Sequence, residues 1–452
     1  MAVEDVDLIV IGSGQGGVPL AVHFAKQGKH VVLFERGKLG GTCVNYGCTP
    51  SKAFLASAHN AGRARDAAGV GVHCTVSIDG EAVMRRVNRI RGEWHDGVRE
   101  KLNVAGIRLV QGDAKFTGVR EVEGGGVKVR APLVVIDTGS RPSVPPIDGL
   151  AGTPYLTNET FFDITTIPES LIVLGGGYVG LELGQGCARL GSRVDIIERT
   201  GQILSNEEPD TANVLKDALE SDGVRIHLAV NVTSVAYNDG FTVRLNDGTE
   251  LTAKALLVAA GRTPNSQSLS ARASGIELDD KGYVRTDEHL QTACKGVFAL
   301  GEAAHQPAFT HVAWEDYRRV LDVMNGGSRT RDDRPLAYST FTEPQVARVG
   351  LSLPQARKAG YDARTAQLEL ADTARGAEWN LPRGFYRIVV DRASEKILGA
   401  TLVGYEAGEI VHAIYAHMMN GATWHVLEQS VHIHPTFSEA LPTTVRQLVP
   451  SA

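Results

Sequence analysis

The feature that most constrains this chain is a glycine loop that occurs twice in the same local setting. In the first copy an apolar run, Asp7-Leu8-Ile9-Val10-Ile11, leads into Gly12-Ser13-Gly14-Gln15-Gly16-Gly17 and a helical pattern through Ala25. A second apolar run, His30 to Phe34, then ends in Glu35. The second copy repeats the order: Leu171 to Leu174, then Gly175-Gly176-Gly177-Tyr178-Val179-Gly180, a helical pattern, and Arg193 to Ile197 ending in Glu198. First glycine and closing acid are 23 residues apart in both copies. The spacing has a mechanism. The first glycine (Gly12, Gly175) turns the chain, and the second (Gly14, Gly177) lets backbone approach a pyrophosphate. The third (Gly17, Gly180) lets helix and strand pack closely, and the acid takes a ribose hydroxyl. One such loop is a weak signal. Two in strand–turn–helix–strand context predict two dinucleotide sites, one for a resident cofactor and one for a second that brings the electrons.

Between the copies lies Gly40-Gly41-Thr42-Cys43-Val44-Asn45-Tyr46-Gly47-Cys48-Thr49-Pro50-Ser51-Lys52. Cys43 and Cys48 are close enough to close a small disulfide loop. A reactive pair beside a bound cofactor points to electrons passing between the two; a structural disulfide or a buried thiol pair is the alternative. Pro50 is placed to open a helix, where its missing N–H is no loss. Such a helix would aim its positive end at Cys48 and favour the reactive thiolate. Cys74, Cys187 and Cys294 have no partner by spacing and read as packing residues.

Length and composition set the frame. The 452 residues carry 43% hydrophobic and 22% charged side chains, an ordinary globular balance with room for two to four domains. A net charge of −6 excludes the electrostatic footprint expected of a nucleic-acid binder. No apolar run is long enough to cross a bilayer, and the acidic start Met1 to Asp5 lacks the regions of a signal peptide. Five cysteines are too few and scattered for a secreted disulfide framework, so a cytoplasmic location with one catalytic disulfide is expected. Val134 to Pro142 and Leu256 to Pro264 resemble each other, each a buried strand followed by a turn, and read as exits from one nucleotide unit to the next. Gly296 to Glu302 is a third such strand end. From Tyr338 onward, alternating segments (Tyr386–Val390, Ile397–Leu402) and helical patterns (Gly408–Met419, Thr423–Glu428) read as a separate α+β domain.

Together with His432-Ile433-His434-Pro435-Thr436-Phe437-Ser438-Glu439, these motifs make nearly the whole chain resemble the pyridine nucleotide–disulfide oxidoreductases, which include glutathione reductase, dihydrolipoamide dehydrogenase and mercuric reductase. The resemblance implies an α/β fold: two Rossmann-like units for FAD and NAD(P), and a C-terminal α+β domain that forms a homodimer. The expected boundaries are 1–150 with 265–335 for FAD, 151–264 for NAD(P) and 336–452 for the interface. It implies that NAD(P)H reduces FAD and that the flavin reduces the Cys43–Cys48 disulfide. Cys48 is then the flavin-side thiolate and Cys43 the thiol that exchanges with substrate. His434 of the partner subunit is the expected acid/base, with Glu439 orienting its ring, and His432 is structural. Lys52, paired with Glu182, is expected near the flavin N5 region, and Tyr178 over the nicotinamide pocket, with helix packing as its alternative role. Gly41, Thr42, Gly139, Gly301 and Glu302 complete the expected FAD site, and Gly261 the NAD(P) site.

Glu198 favours NADH, since a carboxylate repels a 2′-phosphate, although Arg193 and Arg199 lie close in sequence. Glu302 stands where most relatives have Asp. Tyr46 and Thr49 are uncommon within the cysteine motif and sit where substrate approaches. The segment Pro307 to Arg318 resembles a mercuric reductase-like branch, which includes a bacterial copper reductase tied to hypochlorite resistance, and its start is expected to aim a helix N-terminus at the flavin. The terminal stretch Gln447 to Ala452 has no cysteine pair of the mercuric reductase kind and no metal-binding domain precedes the first loop, so efficient mercuric reduction is not expected. The spacings of His412, His417, His425, His432 and His434 match no standard metal-ligand motif. The acceptor expected is a small disulfide or dithiol, or a metal ion that thiolates prefer. A glutathione-disulfide reductase or a non-enzymatic flavin-bearing redox sensor is the alternative.

Overall fold

The computed structural model describes residues 2–449. Pro450, Ser451 and Ala452, part of the C-terminal stretch read for a cysteine pair, lie outside the described residues. The first glycine loop sits in a five-stranded parallel sheet ordered Val297–Ala299, Leu133–Ile136, Leu8–Ile11, Val31–Glu35, Arg108–Gln111. The central strand Leu8–Ile11 is buried at every residue, as a parallel sheet covered on both faces requires. It starts at Leu8 rather than Asp7, because the Asp7 carboxylate instead accepts a hydrogen bond from the His30 backbone at 2.7 Å.

The second loop sits in a four-stranded parallel sheet: Arg225–Leu228, Arg193–Glu198, Ser170–Leu174, Ala255–Val258. Each parallel sheet is interrupted in the chain by an antiparallel three-stranded meander, Lys115–Gly118, Glu121–Gly124 and Val127–Arg130 before Leu133–Ile136 in the first unit, and Val232–Tyr237, Phe241–Leu245 and Glu250–Ala253 before Ala255–Val258 in the second. The two matching exit segments meet each other. Ser140–Pro142 and Arg262–Pro264 pair as a short antiparallel ribbon, so the chain leaves the first unit and returns to it at one place. From Ala337 to Gly404 a five-stranded antiparallel sheet builds the third unit, with helices Ala407–Met419, Trp424–Gln429 and Ala440–Arg446 after it.

The internal repeat holds in atomic detail. Gly12 has φ +103°, and a Cβ on it would lie 2.2 Å from the Asp137 carbonyl oxygen. Gly175 has φ +117°, and its Cβ would lie 2.4 Å from the Ala259 carbonyl oxygen. Only glycine tolerates that conformation and that approach. Glu35 accepts a hydrogen bond from Ser13 N at 2.9 Å, and Glu198 one from Gly176 N at 2.7 Å.

Two expectations need correction. The helix after the cysteines runs Cys48–Asp66 and opens at Cys48, not Pro50; Pro50 occupies the first turn, where no intrahelical donor is lost. Cys74 is exposed in an irregular segment and does not pack, whereas Cys187 is fully buried and Cys294 half-buried. No helix among the described residues is long and apolar enough to cross a membrane.

Candidate active site

One cavity of about 1280 Å³ runs through the first unit and opens toward the second and third. It is lined by Gly12, Gly14, Glu35, Gly41, Thr42, both cysteines, Lys52, Gly139, Glu302, Gly177, Tyr178, Glu182 and Gly261. The structure thus brings most of the expected site residues together. Gly17, Gly301, Gly175, Gly180 and Glu198 do not line it: the glycines are turn and packing positions behind it, and the Glu198 carboxylate holds the second loop.

The cysteines sit on two consecutive helices. Cys43 lies in the short helix Gly41–Asn45, and Cys48 is the first residue of Cys48–Asp66. Asn45, buried, holds the turn by donating to the carbonyls of Leu39 at 2.8 Å and Gly41 at 3.0 Å. Both cysteines are free thiols, Cys43 half-buried and Cys48 exposed. The pair is polarised. Cys48 is drawn down to about 6 by the hydrogen bond from Cys43, with help from Thr310 and the Lys52 charge. Cys43 is driven up, because it gives that bond and is buried. The Thr310 hydroxyl lies 3.1 Å from Cys48 Sγ and opens the helix Thr310–Met324. Two helix N-termini therefore converge on one sulfur, which favours its thiolate.

Lys52 Nζ is 2.7 Å from Glu182 Oε2, across two units of the fold. The other Glu182 oxygen accepts from Phe341 N at 2.9 Å, and the ammonium lies over the Phe341 ring at 4.5 Å. The pair is therefore anchored to all three units.

The first loop fits a dinucleotide. The Glu35 carboxylate is held by Ser13 N and Oγ and by Gly37 N while facing the cavity. Gly41 presses on the loop so closely that a Cβ would lie 3.1 Å from Gly14 Cα, which leaves bare backbone toward the cavity. Asp137 is unexpected. Its buried carboxylate accepts from Gly17 N at 2.6 Å, where the second copy has Ala259. Burial pushes it up to about 7, against the pull of the Gly17 and Gly16 amides. Glu302 faces the cavity but is engaged by the Ser140 hydroxyl and by Arg262 Nε at 3.1 Å.

In the second unit, Glu198 accepts from Gly176 N and from the Thr200 N–H and hydroxyl. Arg193 lies at the far end of its strand and donates to the Thr252 carbonyl, so it does not share the Glu198 site. Tyr178 packs against Phe309 and Tyr338, ring centroids 5.8 Å from each.

His434 Nδ1 is 2.9 Å from Glu439 Oε2. A carboxylate only accepts, so Nδ1 carries the proton and Nε2 is left free. The pair does not line the cysteine cavity of its own chain. His434 is 72% exposed, beside Val431 at 98% and Ile433 at 79%. His432 bonds to Ser430 and His425 to Glu395. No group of three metal-ligating side chains occurs among the described residues.

Sequence reasoning missed Asp137, Phe309, Thr310 as a thiol partner, Glu207 and Tyr338. Asp137 alone left a readable signal, as the acid in one exit strand where the matching strand has alanine. The others are joined only by the fold.

These features define a class: flavin- and nicotinamide-dependent enzymes that work through a paired thiol. Residues 6–316 match the family model described as pyridine nucleotide-disulphide oxidoreductase, and 336–445 match its dimerisation domain. The chain belongs to this family. It is 34% identical to a dihydrolipoyl dehydrogenase of Thermus scotoductus, over 96% of this chain and 95% of that one. It is equally 34% identical to a mercuric reductase of Streptomyces lividans, over 96% and 94%. Among solved structures, the Cu(II) complex of the HOCl-induced flavoprotein disulfide reductase RclA from Escherichia coli matches with TM-score 0.89 and 28% identity, covering 99% of this chain and all of that one. The protein is an FAD-dependent NAD(P)H oxidoreductase that passes electrons through a redox-active disulfide, like dihydrolipoyl dehydrogenases and mercuric reductases. The dimerisation match supports a homodimer.

Proposed function

We propose that this chain is an NADH-dependent reductase of a small disulfide, with Cys43 as the exchanging thiol and His434 of the partner subunit as its base. The observation that carries the reading is the placement of the thiol pair in one cavity, with Cys48 Sγ 3.1 Å from the Thr310 hydroxyl where two helices begin; the Cys48 thiol is lowered there and the Cys43 thiol raised. A thiol held protonated needs a base to become a nucleophile. The His434–Glu439 pair, exposed and with Nε2 free, supplies one once a second copy covers it.

Bound FAD supplies the two-electron relay between the nicotinamide and the Cys43–Cys48 disulfide. Glu35 and the Gly12 loop would hold its adenosine end, and Lys52, paired with Glu182, would supply a positive charge to its ring. In the reduced pair, His434 Nε2 takes the Cys43 proton and Cys43 attacks one sulfur of the acceptor disulfide. The first acceptor thiolate leaves and receives that proton. Cys48 then attacks Cys43 Sγ of the mixed disulfide, the second acceptor thiolate leaves and takes a proton from solvent through His434 Nε2, and the Cys43–Cys48 disulfide re-forms. The balance is one NADH and one proton consumed per disulfide converted to two thiols.

Glu198 supports NADH over NADPH, since its carboxylate lies at the strand end and Arg193 lies away from it. The proposed divisions, 1–150 with 265–335, 151–264 and 336–452, follow the three sheets and the paired exit ribbon.

The test is steady-state NADH oxidation with lipoamide, glutathione disulfide, Cu(II) and Hg(II), for the parent and for Cys43→Ser and His434→Gln. Disulfide turnover that falls about 100- to 10,000-fold in His434→Gln, the range of general acid–base catalysis, supports the reading. Turnover confined to metal ions and indifferent to His434 refutes it.

A further inference from the structure

Tyr178, the residue expected over the nicotinamide pocket, packs against two further aromatic rings. Phe309 and Tyr338 stack face to face, centroids 5.0 Å apart and planes within 4°, and Tyr178 rests its ring on their edge. Behind them lies a buried carboxylate. Glu207 and Arg348 are 1% and 3% exposed and 3.3 Å apart, Glu207 from the second unit and Arg348 from the third. Glu207 Oε1 accepts the Tyr338 hydroxyl at 2.6 Å and is approached by the Tyr178 hydroxyl at only 3.4 Å. Both hydroxyls are held above the ordinary phenol range, Tyr338 to about 12, chiefly by burial, and both remain donors.

We propose that Tyr338 is a positioning residue that sets how tightly the Tyr178 gate closes, by occupying the Glu207 oxygen that Tyr178 would otherwise take. The inference rests on the reading of Tyr178 as the nicotinamide gate. Its physics is competition for one acceptor. A phenol–carboxylate hydrogen bond is charge-assisted and short when fully made. Tyr338 makes it at 2.6 Å, and Tyr178 is left with the long one at 3.4 Å. The gate is thus latched weakly, and its opening subtracts little from nicotinamide binding. If the Tyr338 hydroxyl is removed, Oε1 of the buried Glu207 keeps only the long hydrogen bond from Tyr178. Burying an unsatisfied acceptor is costly, so Tyr178 moves in, the latch tightens, and NAD binding weakens. The sign runs against the usual effect of deleting a polar contact, which loosens what it touched.

The experiment titrates NAD⁺ calorimetrically into FAD-loaded dimer: parent, Tyr178→Phe, Tyr338→Phe and the double variant. Phenylalanine keeps every ring in place. Tyr338→Phe is expected to weaken NAD⁺ by about threefold to tenfold, the range of one hydrogen bond, and to raise KM for NADH while kcat changes less than about twofold. Tyr178→Phe is expected to tighten NAD⁺ and to abolish the effect of Tyr338→Phe. If Tyr178→Phe leaves NAD⁺ affinity unchanged, the gate reading falls and the latch with it. If Tyr178→Phe tightens binding but Tyr338→Phe does not weaken it, or weakens it equally in the double variant, only the latch falls.

Discussion

At the scale of single residues the site is organised by where one acid and two thiols put their protons. Reduced Cys48 is expected to react with iodoacetamide with a midpoint near pH 6, since its thiolate is favoured by the Cys43 hydrogen bond first and by Thr310 and Lys52 after it. Cys43→Ala removes the largest of these contributions and should move the midpoint upward more than Lys52→Met does; alkylation rates against pH measure both. Asp137 titrates the other way. Its folded-state value is raised from 3.8 to about 7 by burial. The folded protein then binds a proton that the unfolded chain has released, so stability falls as pH rises from about 4 to about 7 and stays low above it. Asp137→Asn keeps an oxygen for Gly17 N and removes the titration. Its melting temperature should match the parent near pH 4 and exceed it above pH 7, and a constant difference across that range would refute the assignment.

At the scale of elements, the two glycine loops are separable tests of the two sites. A Cβ at residue 12 meets the Asp137 carbonyl and one at residue 175 meets the Ala259 carbonyl, each within 2.4 Å. Gly12→Ala is expected to release FAD, and Gly175→Ala to keep FAD while losing NADH affinity by at least tenfold. Flavin absorbance after desalting and NAD⁺ titration read the two separately. The helix Thr310–Met324 makes the complementary point. A Cβ on Gly301 would lie 2.8 Å from Ala313 Cβ. The glycine therefore seats this helix against the loop after Val297–Ala299, and the seating brings Thr310 to Cys48.

At the scale of the molecule, the three units are locked by charges that cross between them. Arg189, buried, pairs with Asp222 at 2.8 Å and with Glu343 of the third unit, and Glu343 also takes Arg63 and His59. Arg189→Met leaves two carboxylates without their shared cation, a loss of about 3–5 kcal/mol for a buried pair, visible as a lowered melting temperature with Cys48 reactivity retained. The dimer makes a sharper prediction. Cys43→Ser and His434→Gln homodimers should both be inactive toward disulfides. Subunit exchange between them should restore about a quarter of parent activity, because in a two-fold dimer half the molecules are hybrids with one intact site. No recovery would place His434 outside the partner's site.

Local pattern alone specified the two dinucleotide units, the thiol motif between them and the antiparallel third unit. Glycine turns, buried apolar strands and closing acids are short-range features, and their spacing is set by the backbone itself. The helix start at Cys48 and the exposure of Cys74 were misread by little, since both depend on what packs nearby. Tertiary structure alone decided the rest. Asp137 reaches Gly17 across 120 residues, Cys48 finds Thr310 across 262, and Glu207 gathers phenols from residues 178 and 338. Those juxtapositions set the surroundings of a thiol, a carboxylate and two phenols through burial and distance. Neither quantity exists in a sequence until the three units close on one another.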